Sequence, residues 1–170
     1  MNVQKKVIGS LEKCYSLATF EYDSEKHFVV AAEKKDEIDI FTCDGQKKDV
    51  LHGGSGGVMT MIQYPEKPIL LATQKFYSPN NSAEAKIVYF MRNGENWECN
   101  TLCEIPFVHR FGLLERNGRR YLIVCTLKSA HAFKNDWTCP GRIWTAELPE
   151  DITQFNESNL LELRPILSGL

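Results

Sequence analysis

The chain has 170 residues, 43% of them hydrophobic and 25% charged, with a formal charge of −2. This composition fits one globular domain and excludes a disordered or fibrous chain. It gives no basic patch for nucleic acid, because Lys5-Lys6, Lys34-Lys35, Lys47-Lys48 and Arg119-Arg120 are scattered pairs near acids.

Met1 to Ser10 is polar and has no apolar h-region, so no secretory signal is expected and the chain is placed in the cytoplasm. Leu17 to Tyr22 predicts a strand, Asp23 to Lys26 a turn, and the apolar run His27 to Ala32 a strand buried on both faces. Ile38 to Phe41 alternates, Asp44-Gly45 turns the chain, and Lys48 to Leu51 pairs back as an outer strand. The plan restarts after His52-Gly53-Gly54-Ser55-Gly56-Gly57. Val58 to Tyr64, a Pro65-Pro68 turn, Ile69 to Thr73, a long loop Gln74 to Ala85, Ile87 to Met91, an Asn93-Gly94 turn and Trp97 to Ile105 follow. The third unit runs from Phe107 through the turn Arg116 to Arg119, the run Tyr121 to Leu127, the loop Lys128 to Pro140 and the strand Arg142 to Leu148. Asp151 to Asn159 reads as a loop or a helical turn, and Leu160 to Leu167 as the outer strand.

These are three copies of one unit, at about residues 11–51, 52–106 and 107–167. Their second strands align as Val29-Val30-Ala31-Ala32, Leu70-Leu71-Ala72-Thr73 and Ile123-Val124-Cys125-Thr126. Their third strands align from Ile38, Ile87 and Arg142. Four short strands repeated every roughly 40–50 residues describe a β-propeller blade. The expected fold is therefore all-β, with three four-stranded antiparallel blades forming a partial propeller. A β-sandwich or closed barrel is the alternative. Three blades are fewer than the roughly four to eight that close a ring. Further blades of a longer chain, or a second copy, are then needed to cover two open sheet faces.

With strands A to D numbered from the axis outward, the A–B and C–D turns share one rim. The B–C and D–A connections share the other, which is richer in functional side chains and is the expected binding face. His52 and His109 are both expected just before an inner strand, converging on the axis. There they could hold a divalent metal, the one cofactor this pattern suggests, or act as acid and base. Arg110 offers a planar fork to an anionic or polyhydroxy ligand. In the third B–C loop, His131, Lys134, Asp136 and Trp137 combine a ring for stacking with charged partners, as a sugar site does. The plainer reading is a folded loop in which Trp137 covers the blade and Asp136 caps a turn.

Other motifs carry less. The glycine-rich segment around Ser55 lacks the Gly-Lys-Ser/Thr ending of a phosphate loop and the strand-to-helix elbow of a nucleophile. The six cysteines are irregularly spaced and read as free thiols. Cys99 and Cys103 have a zinc-like spacing without a second pair, and on a regular strand they would share a face.

The stretch Asn117 to Val124, the loop and strand Lys134 to Trp144, and His109 before them resemble a blade of irregular microbial propellers. Among these are sugar dehydratases of the aldos-2-ulose type. The resemblance covers about one blade well and two loosely. It implies a blade fold and a polar axial site that holds a metal through histidines. Only His52 and His109 match that site, and the first unit offers Lys13 or Cys14 instead. Together these readings predict a non-catalytic binding or assembly module with a polar ligand, a small molecule or sugar, on the B–C/D–A face. No nucleic-acid or membrane partner is expected. The alternative is a metal-assisted lyase, isomerase or hydrolase acting on a carbohydrate-like substrate.

Overall fold

The computed structural model describes residues 2–35, 37–54 and 56–169; Met1, Asp36, Ser55 and Leu170 lie outside the described residues. The described chain is all-β and forms three antiparallel four-stranded sheets, none closed into a barrel. Sheet 1 is β1 (Cys14–Tyr22), β2 (Glu25–Ala32), β3 (Ile38–Thr42) and β4 (Lys47–His52). Sheet 2 is β5 (Met61–Gln63), β6 (Leu70–Gln74), β7 (Lys86–Asn93) and β8 (Asn96–Glu104). Sheet 3 is β9 (Val108–Arg116), β10 (Arg119–Lys128), β11 (Pro140–Leu148) and β12 (Arg164–Ser168). Each is a simple meander, as a propeller blade is. No described helix is long and apolar enough to cross a membrane.

The sheets stack face to face in chain order. Each has a forward face, toward the next sheet, and a back face. Phe20, Val29, Ala31 and Ile40 on the forward face of sheet 1 form one core with Leu70, Ala72, Val88 and Phe90 on the back of sheet 2. Leu71, Ile87 and Tyr89 on the forward face of sheet 2 form a second core with Leu122, Val124 and Ala146 on the back of sheet 3. Successive residues of β6 and β7 therefore serve opposite cores. This is why their sequences are continuous apolar runs rather than alternating ones.

Strand pairing aligns the sheets residue by residue. Ala31 pairs with Ile38, Thr73 with Ile87, and Cys125 with Ile143. Immediately after Ile38, Ile87 and Ile143 the ladder to the outer strand slips, leaving Leu51, Leu102 and Ile166 as bulges. These positions correct the sequence alignment in two places. The third strand of unit 3 aligns from Ile143, not Arg142. The second strand of unit 2 shifts by one, so Leu71 rather than Leu70 corresponds to Val29. A one-residue slip moves a side chain to the other face, and Leu70 and Val29 do point into the same core from opposing sheets.

The segment Asp151 to Asn159 is neither helix nor strand. It folds back over sheet 2. Ile152 and Leu161 enter the second core. Tyr89 Oη donates to the Phe155 carbonyl at 2.8 Å, and Tyr64 Oη to that of Pro149 at 2.9 Å. The long C–D connection of sheet 3 is thus a latch onto its neighbour.

Candidate functional site

The inner strand of each sheet begins with the same local structure. Lys13, Gly57 and Phe107 occupy equivalent positions, and all have left-handed φ, at 54°, 73° and 60°. For Phe107 that conformation costs about 1–2 kcal/mol, offset by burial of its ring. Two residues later the inner strands of sheets 1 and 3 bulge. Tyr15 is skipped between Cys14 and Ser16, which pair with Ala32 and Ala31. His109 is skipped between Val108 and Arg110, which pair with Thr126 and Cys125. In sheet 2 the backbone N–H groups of Met59 and Thr60 both donate to the Thr73 hydroxyl, at 2.6 and 3.2 Å. Bulges re-aim side chains at sheet edges and rims. Here they bring Tyr15, Met59 and His109, and the following Ser16, Thr60 and Arg110, to the start of the three inner strands.

Arg110 ties these positions together. Its Nη2 donates to Tyr15 Oη at 2.9 Å, and the guanidinium carbon lies 5.4 Å from the Tyr15 ring centroid. Its Nη1 donates to the Met59 carbonyl and meets Thr60 Oγ1 at 3.5 Å. Thr60 Oγ1 also lies 3.4 Å from the His109 carbonyl, to which it donates. One exposed side chain of sheet 3 thereby touches the inner strands of sheets 1 and 2. Among the described residues no carboxylate pairs with it, so its remaining N–H groups are open to an anion or to hydroxyls.

The two histidines are not equivalent, which corrects their expected pairing at the axis. His52 is the last residue of β4, the outer strand, opposite Ile38, and it corresponds to Cys103 and Leu167. Its ring lies 5.5 Å from Phe90, in the first core. His109 lies at the inner strand, 5.1 Å from Phe76 of the second core. Both imidazoles titrate below their ordinary range, through burial first, with Lys86 adding to the shift at His52 and Arg110 at His109. Both are therefore neutral at physiological pH. Among the described residues no three His, Cys, Asp or Glu side chains gather as metal donors. The donor set implied by the resemblance does not form from His52 and His109.

The third B–C loop is built around Lys128, which is fully buried. Its ammonium donates to Asn80 Oδ1 at 3.1 Å and to the Asp136 carbonyl at 2.9 Å. It sits 4.9 Å from the Phe107 ring and 4.7 Å from the Trp137 ring. The Asp136 carboxylate accepts from the N–H of Ala132 and from the hydroxyl and N–H of Thr138, which hold it down to about 2. His131 stands edge-on to Phe107 at 5.0 Å, and Lys134 contributes its carbonyl to Lys128 at 3.5 Å. Asn80 and Asn135 bond across to each other at 3.0 Å. The loop thus spends Asp136 and one face of Trp137 on its own architecture and on the neighbouring loop. The other candidates here stand apart from Arg110 by their contacts.

The thiols are free. Burial pushes Cys99 up to about 11 and Cys103 up to about 12, which makes both poor nucleophiles. The bulge at Leu102 turns them to opposite faces of sheet 2, so they do not form the half-site their spacing suggests. Sequence reasoning reached His109 and Arg110 but passed over Tyr15 and Thr60. The signal that locates them is the position after a left-handed residue at each inner strand, and only Gly57 marks that position by residue type. A concavity of about 580 Å³ lies elsewhere, between the A–B turns around Asp23 and Glu66 on the opposite rim.

No protein-family profile matches the chain, and no curated protein matches it significantly.

Proposed function

We propose that the chain is a propeller-type binding module, non-catalytic, whose ligand is a polar small molecule bearing a carboxylate or several hydroxyls, such as a sugar or sugar acid. The observation that carries this reading is Arg110. It is exposed, meets no carboxylate among the described residues, and is held by Tyr15 and the Met59 carbonyl at the converging inner strands. A pre-oriented guanidinium loses little freedom on gripping an anion bidentately. Tyr15, half exposed, supplies a ring face and a hydroxyl beside it. Neutral His109 adds a donor or acceptor without competing charge. The buried, raised thiols and the separated histidines favour binding over metal-assisted chemistry on a carbohydrate. Free cysteines, two of them exposed, suit a reducing cytoplasm.

The test is an NMR titration with gluconate, with glucose as the uncharged comparison. The expected result is saturable shifts at Tyr15, Thr60, His109 and Arg110, stronger for gluconate. In Arg110→Met the gluconate affinity should fall about tenfold or more, the equivalent of one charge-assisted pair. Absence of saturable shifts at these residues for both ligands, or the same affinity in the variant, would refute the assignment.

A further inference from the structure

We propose that the forward face of sheet 3 docks on the back face of sheet 1 in a second copy of this chain, so that two copies close a ring of six sheets. Val29 and Leu71, and likewise Ile38 and Ile87, are buried forward-face positions against the next sheet. Their equivalents in sheet 3 are Ile123 and Ile143. These are only half-buried, and Leu114 and Leu167 beside them are 57% and 49% exposed. Sheet 3 thus presents the same forward face as sheets 1 and 2, with no further sheet among the described residues seated on it. It continues an interface the molecule already uses twice.

The matching surface is the back of sheet 1. Residues 8–11 cross it over Phe41, with Lys6 bonded to the Asp44 carbonyl at 3.2 Å. The strap leaves the inner strands open: Leu17 is 68% exposed and lines a groove of about 450 Å³ with Val30 and Tyr15. Both faces carry mixed charge at the A–B rim: Arg119 is paired to Glu147 at 3.3 Å beside Arg116 on sheet 3, and Glu21 lies opposite Lys26 on the back of sheet 1. Both faces then find a partner in a single twofold assembly. Six sheets lie within the roughly four to eight that close a propeller. The ring also completes the wall around Arg110. The proposal rests on the propeller-type reading but on no ligand.

Sedimentation velocity of the full chain at micromolar concentration is the test. The expected species has twice the 19.4 kDa of one chain. Leu17→Asp and Leu114→Asp change exposed side chains, so each should keep its strand circular dichroism while dimer affinity falls about tenfold or more. Mixing the two variants should recover a dimer, because one intact forward face then meets one intact back face. A stable monomer, an open polymer, or a dimer that survives Leu17→Asp would each overturn the proposal; the last would indicate sheet 3 pairing with itself. Since no ligand is present, failure here leaves the gluconate titration to judge the binding reading separately.

Discussion

Arg110 and His109 are neighbours with different physical roles. Arg110 is exposed and turns its guanidinium to the rim. His109 is kept neutral by burial, with the adjacent guanidinium acting in the same direction. The same holds for His52, through burial and Lys86. A histidine whose folded pKa is depressed takes up protons more readily in the unfolded chain. Its stabilising contribution is present above the unfolded value of about 6.5 and is lost as pH falls through the lower folded value. Urea midpoints should therefore decline between pH 7.5 and pH 5, and the decline should be shallower in a His52→Gln/His109→Gln variant. Because burial raises the Asp39 carboxyl, which acts with the opposite sign on acidification, the comparison decides: an equally steep pH dependence in the variant would contradict the placement of both rings. Asp136 titrates far lower, at about 2, and contributes nothing to the slope in this window.

Each sheet is built as one design, and the start of its inner strand carries the strain. Lys13 and Gly57 hold the same left-handed position with opposite fitness for it. A Cβ on Gly57 would lie 2.2 Å from the Phe76 nitrogen, so Gly57→Ala should cost about 2 kcal/mol or more. Lys13→Gly should be neutral or stabilise by up to about 1 kcal/mol, because relief of the left-handed strain outweighs glycine's entropy. Chemical denaturation of the pair reads both signs. The strand order and three-sheet architecture were legible because apolar runs and the turns Asp44-Gly45, Asn93-Gly94 and Asn117-Gly118 punctuate the chain. The register was less legible. β6 and β7 are buried on both faces, so Leu70 and Leu71 carry no alternation to distinguish them. The bulges at Tyr15 and His109 are backbone events without a residue signature, and this is why His52 passed as the counterpart of His109. A folded loop with Asp136 capping a turn was one of two readings the sequence offered, but burial of Lys128 beneath it was not legible.

At the scale of the molecule, two cores join three sheets into one body, and sequence-distant pieces lock it. The latch from Pro149 to Leu163 fastens sheet 3 to sheet 2, and the Asn80–Asn135 and Asn80–Lys128 bonds join neighbouring loops. Arg110 alone among these contacts spans from sheet 3 to sheet 1, through Tyr15. Convergence of all three inner strands on that side chain is what singles out this rim for the proposed site. The most direct measurement is a double-mutant cycle on Tyr15→Phe and Arg110→Met, followed by urea unfolding at one fixed protein concentration. A charge-assisted bond between sheets 1 and 3 at a partly exposed rim predicts a coupling of about 1 kcal/mol. Additive effects, within about 0.3 kcal/mol, would show that Tyr15 and Arg110 do not meet and that the sheets do not converge there.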